Sequence, residues 1–277
     1  MNRRPRNDVV DCGPNAGTLI LIGGGEDKRG DRIVLSEVAR TAGAGKLVIA
    51  TVASEVPDLQ WSTYFSIFRE IGIEEVQHLS IDNREQASDP ARTAILDNAT
   101  AVFFTGGDQL RITSKLAGTP VFARIRAIYE EGGLIAGTSA GASGMGEMML
   151  VSHATEDSHK VAGAFFMARG LGMVRDMVID QHFAQRARIE RLVGAVAEDP
   201  TALGVGIDED TAIVIEPGGS FRVIGAGAVY VADGQSVTYT NLSERNPETT
   251  LCLFDVRLHV LCRETLFDLR TRRPACS

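Results

Sequence analysis

GTSAG, residues 137–141, places a serine between small residues directly after an apolar run and before a stretch that can start a helix. A nucleophile on a tight strand-to-helix turn needs small neighbours, because the backbone is strained there and larger side chains would block access. The amide that follows and the helix amino end then stabilise developing negative charge. In a chain with 29 glycines the same five letters also arise as an ordinary turn. The strand context is what favours Ser139 as a nucleophile.

Such a serine needs a base, and the base needs a group to hold it. His78 and His259 lie inside apolar strand patterns and read as structural. His153 and His159 flank Glu156 and Asp157 in SHATEDSHK, but that spacing fits no metalloenzyme helix motif, so no metal is expected. His182 ends the apolar run MVIDQHF, residues 177–183, and an arginine-rich segment follows it. Open α/β sheets place their ligand crevice at the carboxyl ends of parallel strands. GTSAG and DQHF can therefore face one crevice. GIDED then supplies Asp208, Glu209 and Asp210 as candidate orienting acids. The order serine, histidine, acid differs from the serine, acid, histidine order of the α/β-hydrolases, which argues against an ordinary esterase or lipase.

Two glycine turns flank these groups. In FFTGGDQ, residues 103–109, exposed glycine amides can form half of an oxyanion hole opposite the Ala140 amide. A plain strand-to-helix turn explains them equally. LIGGGEDKRG, residues 21–30, lacks the spacing of a dinucleotide loop and reads as a structural turn near the crevice. Arg186, Arg188 and Arg191 follow His182 closely, beside Asp180 and Gln181. Residues 188 and 191 can share a helix face, with 186 pointing partly elsewhere. A solvated face is the bland account of them. Next to a catalytic histidine they would grip carboxylates, while Asp180 would pair a cation.

The elements that must position these groups are legible as apolar runs at residues 18–25, 46–54, 76–81, 101–107, 134–141, 177–183 and 203–209. Helical periodicity occupies 32–42, 59–71, 91–96, 109–116, 121–131 and 184–197. The alternation predicts an α/β fold of three layers, with a mainly parallel sheet and helices on both faces. The nearly continuous apolar character of the strands fits a sheet covered on both sides. After Glu209 the PGGS, GAG and ADG turns with no helix between them predict an antiparallel β extension of the same domain. Residues 244–249 (ERNPET) read as a polar loop, and LCLFDVRLHVLCRETLFDL as a strand pair or a strand and short helix. The first 16 residues read as a flexible arm, leaving 17–277 as a single α/β domain with its β-rich extension from about 210.

Composition bounds the rest. Hydrophobic residues are 44% and charged residues 23%, which excludes wholesale disorder. No run approaches the ~18 apolar residues of a membrane span. A net charge of −8 is a poor match to phosphate backbones, so nucleic acid is not expected as a partner. The 24 arginines against 4 lysines read mostly as codon bias. MNRRPRNDVVDCGPNAG lacks an apolar core, so no secretory signal is expected. Cys12, Cys252, Cys262 and Cys276 form no CxxC pair and read as free thiols of a reducing, cytoplasmic compartment.

GGGEDK, FFTGGDQ, AGTSAGA, DQHF with the three arginines, GIDE and FDVRLHVL together resemble the cyanophycinase family. These are serine exopeptidases similar to aspartyl dipeptidase (peptidase E), with a class I glutamine amidotransferase-like fold. The likeness runs from about Thr18 to about Pro274. It implies hydrolysis of cyanophycin, a poly-aspartate with arginine on each side-chain carboxyl, to β-Asp-Arg dipeptides without any cofactor. It further implies Ser139 as nucleophile, His182 as base, Glu209 as orienting acid, and Gly107 and Ala140 as oxyanion amides. Gln109, Asp180, Gln181, Arg186, Arg188 and Arg191 match pocket residues, and the fold relatives imply a homodimer. An aspartyl dipeptidase for short Asp-containing peptides and a non-catalytic peptide-binding relative are the alternatives to be tested.

Overall fold

A computed structural model of the chain describes residues 16–151, 166–243 and 249–275. SHATEDSHK with His153, Glu156, Asp157 and His159 lies outside the described residues. So do residues 1–15 of the arm, residues 244–248 of the polar loop, Cys12 and Cys276.

The apolar runs of the first half form five parallel strands: β1 (Thr18–Ile22), β2 (Lys46–Ala50), β3 (Val76–Leu79), β4 (Ala99–Phe104) and β5 (Leu134–Thr138). Their spatial order is β1-β5-β4-β2-β3. Helices α1 (Ile33–Ala42), α2 (Pro57–Ile71) and α3 (Pro90–Ala94) follow the first three strands. Next come α4 (Gln109–Leu116) and α5 (Pro120–Glu130) after β4, and α6 (Ala140–Ser143) after β5. Successive strand residues face opposite sides. Ile20, Ile22, Leu47 and Ile49 therefore meet α1 and α2 on one face, while Leu19, Leu21, Val48 and Ala50 meet α4 and α5 on the other. Two covered faces explain the unbroken apolar runs. Helix starts are set locally: Asp108 accepts from the Leu110 amide to cap α4, and Thr119 accepts from the Phe122 amide to cap α5, with Pro120 in the first turn.

The second half departs from the simplest reading. β6 (Met148–Val151) and β7 (Phe166–Arg169) form an antiparallel pair not anticipated from the sequence. They precede β8 (Met177–Gln181), α7 (Ile189–Glu198) and β9 (Leu203–Ile207). β10 (Thr211–Glu216), β11 (Ser220–Gly225), β12 (Val229–Asp233), β13 (Tyr239–Thr240), β14 (Leu253–Phe254), β15 (Arg257–Leu261), β16 (Leu266–Asp268) and β17 (Arg273–Ala275) complete the described strands. β10 lies antiparallel against β1 and carries β11, β16 and β17 outward, so the antiparallel extension is real. β8 and β9 are parallel to each other but leave the main sheet for a second one, ordered β15-β12-β9-β8. That sheet packs Ile179, Val205, Val231 and Leu261 into the core shared with α4 and α5. Three strands and no helix occupy the described part of LCLFDVRLHVLCRETLFDL.

The single helix expected over 184–197 is broken. A short 3-10 turn at Ala184–Arg186 ends at Ala187 with φ 48°, and α7 starts only at Ile189. The break lets Phe183 insert beneath α7 against Leu192 and Val196, where Gly206 leaves it room: a methyl there would stand 2.4 Å from the ring. His78 hydrogen-bonds Thr51 Oγ1 at 2.9 Å and stacks on Trp61, and His259 packs edge-on against Phe267, both within the scaffold. Cys252 and Cys262 are free thiols. No helix among the described residues is long and apolar enough to cross a membrane.

The carboxyl-terminal strands are pinned by a buried acid. Asp233, fully buried, accepts from Arg272 Nη1 at 2.7 Å and Arg257 Nη1 at 3.3 Å. Removing one partner of a buried pair leaves an uncompensated charge. Asp233→Ala is expected to lower unfolding stability by about 3–5 kcal/mol in denaturant titration. A loss below about 1 kcal/mol would show the pair to be no stronger than a surface one.

Candidate active site

The carboxyl end of β1 organises the crevice through its main chain. The Ser139 amide donates to the Ile22 carbonyl at 2.9 Å, the His182 amide to Gly23 at 2.8 Å and the Asp210 amide to Gly24 at 2.9 Å. Three consecutive carbonyls thus align three segments far apart in sequence. Because β1 lies between β5 and β10, the residue that follows β5 and the one that precedes β10 come to it directly.

Ser139 Oγ lies 2.9 Å from His182 Nε2, and His182 Nδ1 lies 2.6 Å from Glu209 Oε1. An ionised carboxylate is an acceptor only, so it selects the tautomer with hydrogen on Nδ1 and leaves Nε2 to accept the serine proton. Of the three adjacent acids, Glu209 is the one that reaches the imidazole. Asp208 is buried and accepts from the Ala184 and Ala228 amides, and Asp210 Oδ1 accepts from the Asp27 amide. Ser139 holds φ 53° and ψ −116°, the strained geometry that lifts a nucleophile clear of its strand. His182 also has a positive φ, 49°.

Glycines at the crevice make close approaches. Gly24 has φ 95°, and a methyl there would lie 2.4 Å from His182 Cε1 and 2.6 Å from Nε2. A methyl on Gly25 would lie 2.7 Å from Glu209 Oε2. The GGGEDK turn is therefore the wall against which the His182 ring and the Glu209 carboxylate rest, a role its spacing did not reveal. On the opposite side, a methyl on Gly106 would lie 3.3 Å from Ser139 Cβ, and Gly107, at φ 145°, would collide with the Ala53 carbonyl. This brings the Gly106–Gly107 turn beside the serine. Ala140 opens α6, and first-turn amides have no acceptor within their helix.

The arginine segment is built differently from the expectation. Asp180, fully buried, uses Oδ1 to accept from Arg188 Nη1 and Arg191 Nη2, both at 3.1 Å, and from the Gln181 amide at 3.0 Å. It is an internal counter-ion for two arginines rather than an open acid. Burial pushes its carboxyl above the ordinary range, against the pull of Arg191 and Arg188. Burial likewise lowers the Arg188 guanidinium, with Asp180 opposing. Arg188 also donates to the Gln181 carbonyl at 2.6 Å. Gln109 Nε2 donates to the Leu150 carbonyl at 2.7 Å, which Arg191 Nη2 meets at 3.4 Å. Arg186, on the 3-10 turn, is exposed. Asp180 Oδ2 and Gln181 Oε1 are buried with no hydrogen-bond partner among the described residues. Gln185, not singled out from the sequence, accepts from the Glu209 amide at 3.1 Å.

A model of peptidase family S51 matches residues 19–224. A cyanophycinase of Synechococcus elongatus is 37% identical over 260 residues, covering 93% of this chain and 80% of that protein. One from a Nostoc species is 40% identical over 262 residues, covering 93% and 88%. Among solved structures, a peptidase from an acI-B1 Actinobacterium superposes with a TM-score of 0.62 at 23% identity, over 87% of this chain and 96% of that one. A putative peptidase E protein from Listeria monocytogenes gives 0.55 at 19%, over 76% and 100%. At these identities the two structures speak for the fold alone.

The contact between Gly24 and the imidazole is testable. Gly24→Ala forces the ring or the turn to move, and a misplacement near 1 Å costs on the order of 100-fold in rate. Labelling of Ser139 by a small organophosphonate should slow by about that factor. Labelling at the wild-type rate would show that the ring does not depend on this gap.

Proposed function

We propose that this chain, which belongs to peptidase family S51, hydrolyses cyanophycin from its carboxyl end to β-Asp-Arg dipeptides. As a member it is a serine peptidase. The observation that carries the reading is the hydrogen-bonded chain Glu209–His182–Ser139, with Arg188 and Arg191 held on Asp180 in the segments that flank His182. Relatives of 37–40% identity over 93% of the chain, named cyanophycinases, support the substrate.

In the proposed reaction His182 Nε2 takes the Ser139 proton as Oγ attacks the carbonyl of the last Asp–Asp main-chain amide. Amides of Gly107 and Ala140 receive the oxyanion. His182 then protonates the leaving amine of the terminal β-Asp-Arg unit, and the shortened polymer stays esterified to Ser139. Water, deprotonated by His182, attacks the ester and releases the polymer. Glu209 holds the imidazole throughout and stabilises its charged form. The substrate chemistry suits the pocket. Arg186, Arg188 and Arg191 offer guanidinium donors to the free carboxylates of the terminal unit. Asp180, closed against Arg188 and Arg191, holds those two guanidiniums in place instead of meeting the substrate's own. Gln109, joined through the Leu150 carbonyl to Arg191, belongs to the same pocket. The fold relationship goes with a homodimer of single-domain subunits, and the free Cys252 and Cys262 suit a reducing cytoplasm.

Ser139→Ala is expected to cut dipeptide release from purified cyanophycin by at least about 10⁴-fold while near-ultraviolet circular dichroism is unchanged. Retained release would refute the nucleophile assignment. Wild-type protein that cleaved Asp-X dipeptides and left cyanophycin intact would move the reading to an aspartyl dipeptidase. A protein that cleaved neither and resisted phosphonate labelling would be a binding relative.

A further inference from the structure

A second acid lies buried beside the nucleophile strand, and the hydrogen-bonded relay does not use it. Glu26 follows the two glycines that seat His182 and Glu209, and is 3% exposed. Its Oε2 accepts from Thr138 Oγ1 at 2.7 Å, and its Oε1 accepts from the Tyr64 hydroxyl and, at 3.0 Å, from Lys28 Nζ. Thr138 is the residue immediately before Ser139. Tyr64 stands on α2, against Phe68 and Phe103 of the core, and the Lys28 ammonium sits over its ring. Every oxygen of the carboxylate therefore has a donor.

An acid in this place carries a desolvation penalty that an apolar side chain of the same size would avoid. Burial pushes the carboxyl up, but the Lys28 ammonium and the hydroxyls of Tyr64 and Thr138 outweigh it and hold it below the ordinary range. The partners explain what the charge does. Ser139 adopts a backbone conformation that persists only where its surroundings enforce it. Its amide is tied to Ile22, and its carbonyl accepts from the Ala142 and Ser143 amides. The Glu26–Thr138 bond adds a side-chain tie between the nucleophile strand and the loop that carries the wall of the base.

We propose that Glu26 is a positioning residue for acylation, locking the Ser139 turn in register with the loop that seats His182 and Glu209. The inference rests on the reading of Ser139 as nucleophile. Glu26 is buried and acts through Thr138, so its loss should disturb the Oγ to Nε2 geometry and leave substrate affinity alone.

The test compares Glu26→Gln, Thr138→Val and the double variant on purified cyanophycin, with thermal unfolding to verify the fold. Each single change should lower kcat by about 10- to 100-fold, with KM within about twofold. The double variant should lose no more than the worse single one, because both weaken the one contact between residues 26 and 138. Thr138→Ser, which keeps the hydroxyl, should recover most of the rate lost in Thr138→Val. If Glu26→Gln does not fold, the two Thr138 variants and Tyr64→Phe carry the comparison. Folded Glu26→Gln or Thr138→Val with wild-type kcat overturns the proposal, as do losses that multiply in the double variant. Phosphonate labelling keeps this separate from the nucleophile reading. If wild-type protein is not labelled at Ser139, that reading fails; if it is labelled and the variants react at the same rate, only the role of Glu26 falls.

Discussion

The site depends on the place where β1 stops being a strand. Within β1 both main-chain edges are occupied by β5 and β10, and beyond Ile22 the carbonyls of residues 22, 23 and 24 accept from three other segments. A strand with large side chains cannot continue into such a junction, because the imidazole and the carboxylate of the relay lie within methyl distance of Gly24 and Gly25. The glycines are thus a steric requirement of the geometry. Their positive φ angles turn the chain along the wall of the crevice.

Around that junction the charged residues divide the work of orientation. In the run Asp208–Glu209–Asp210 each carboxylate holds a different partner: the amides of Ala184 and Ala228, the His182 ring, and the Asp27 amide. Asp208 thereby steadies the segment just after His182 while Glu209 steadies the ring. Asp180 does for Arg188 and Arg191 what Asp233 does for Arg257 and Arg272. In both cases a fully buried acid fixes two long cations whose free rotation would otherwise be lost on binding or folding. Arg188 and Arg191 are thus held in fixed positions by the fold itself.

Much of this was readable locally. Strands covered on both faces write themselves as apolar runs, and Asp108 and Thr119 announce the helices they cap. GTSAG and DQHF carried enough context to point to Ser139 and His182, while GIDED offered three acids, of which the structure brings Glu209 to the ring. What escaped depended on partners distant in sequence. No periodicity says that β8 and β9 pair with β12 and β15 instead of joining β1, since pairing choice is a property of the whole chain. The break at Ala187 follows from where Phe183 must go, which a helical pattern over 184–197 conceals. Glu26 looked like one more polar turn residue, because its burial depends on Tyr64 and Thr138, and Asp180 looked open because its two arginines belong to the next element.

The pairing of β1 also bears on how the molecule comes into being. Thr18 faces Leu134 on one side, and Ile22 faces Ala212 on the other. The earliest of the described strands is therefore an apolar TLILI whose two neighbours are synthesised much later. Such non-local pairing is slow to form and leaves strand edges bare in the meantime. β1 is thus a segment of the nascent chain in need of shelter, and the crevice comes into existence only after β10 has closed over it.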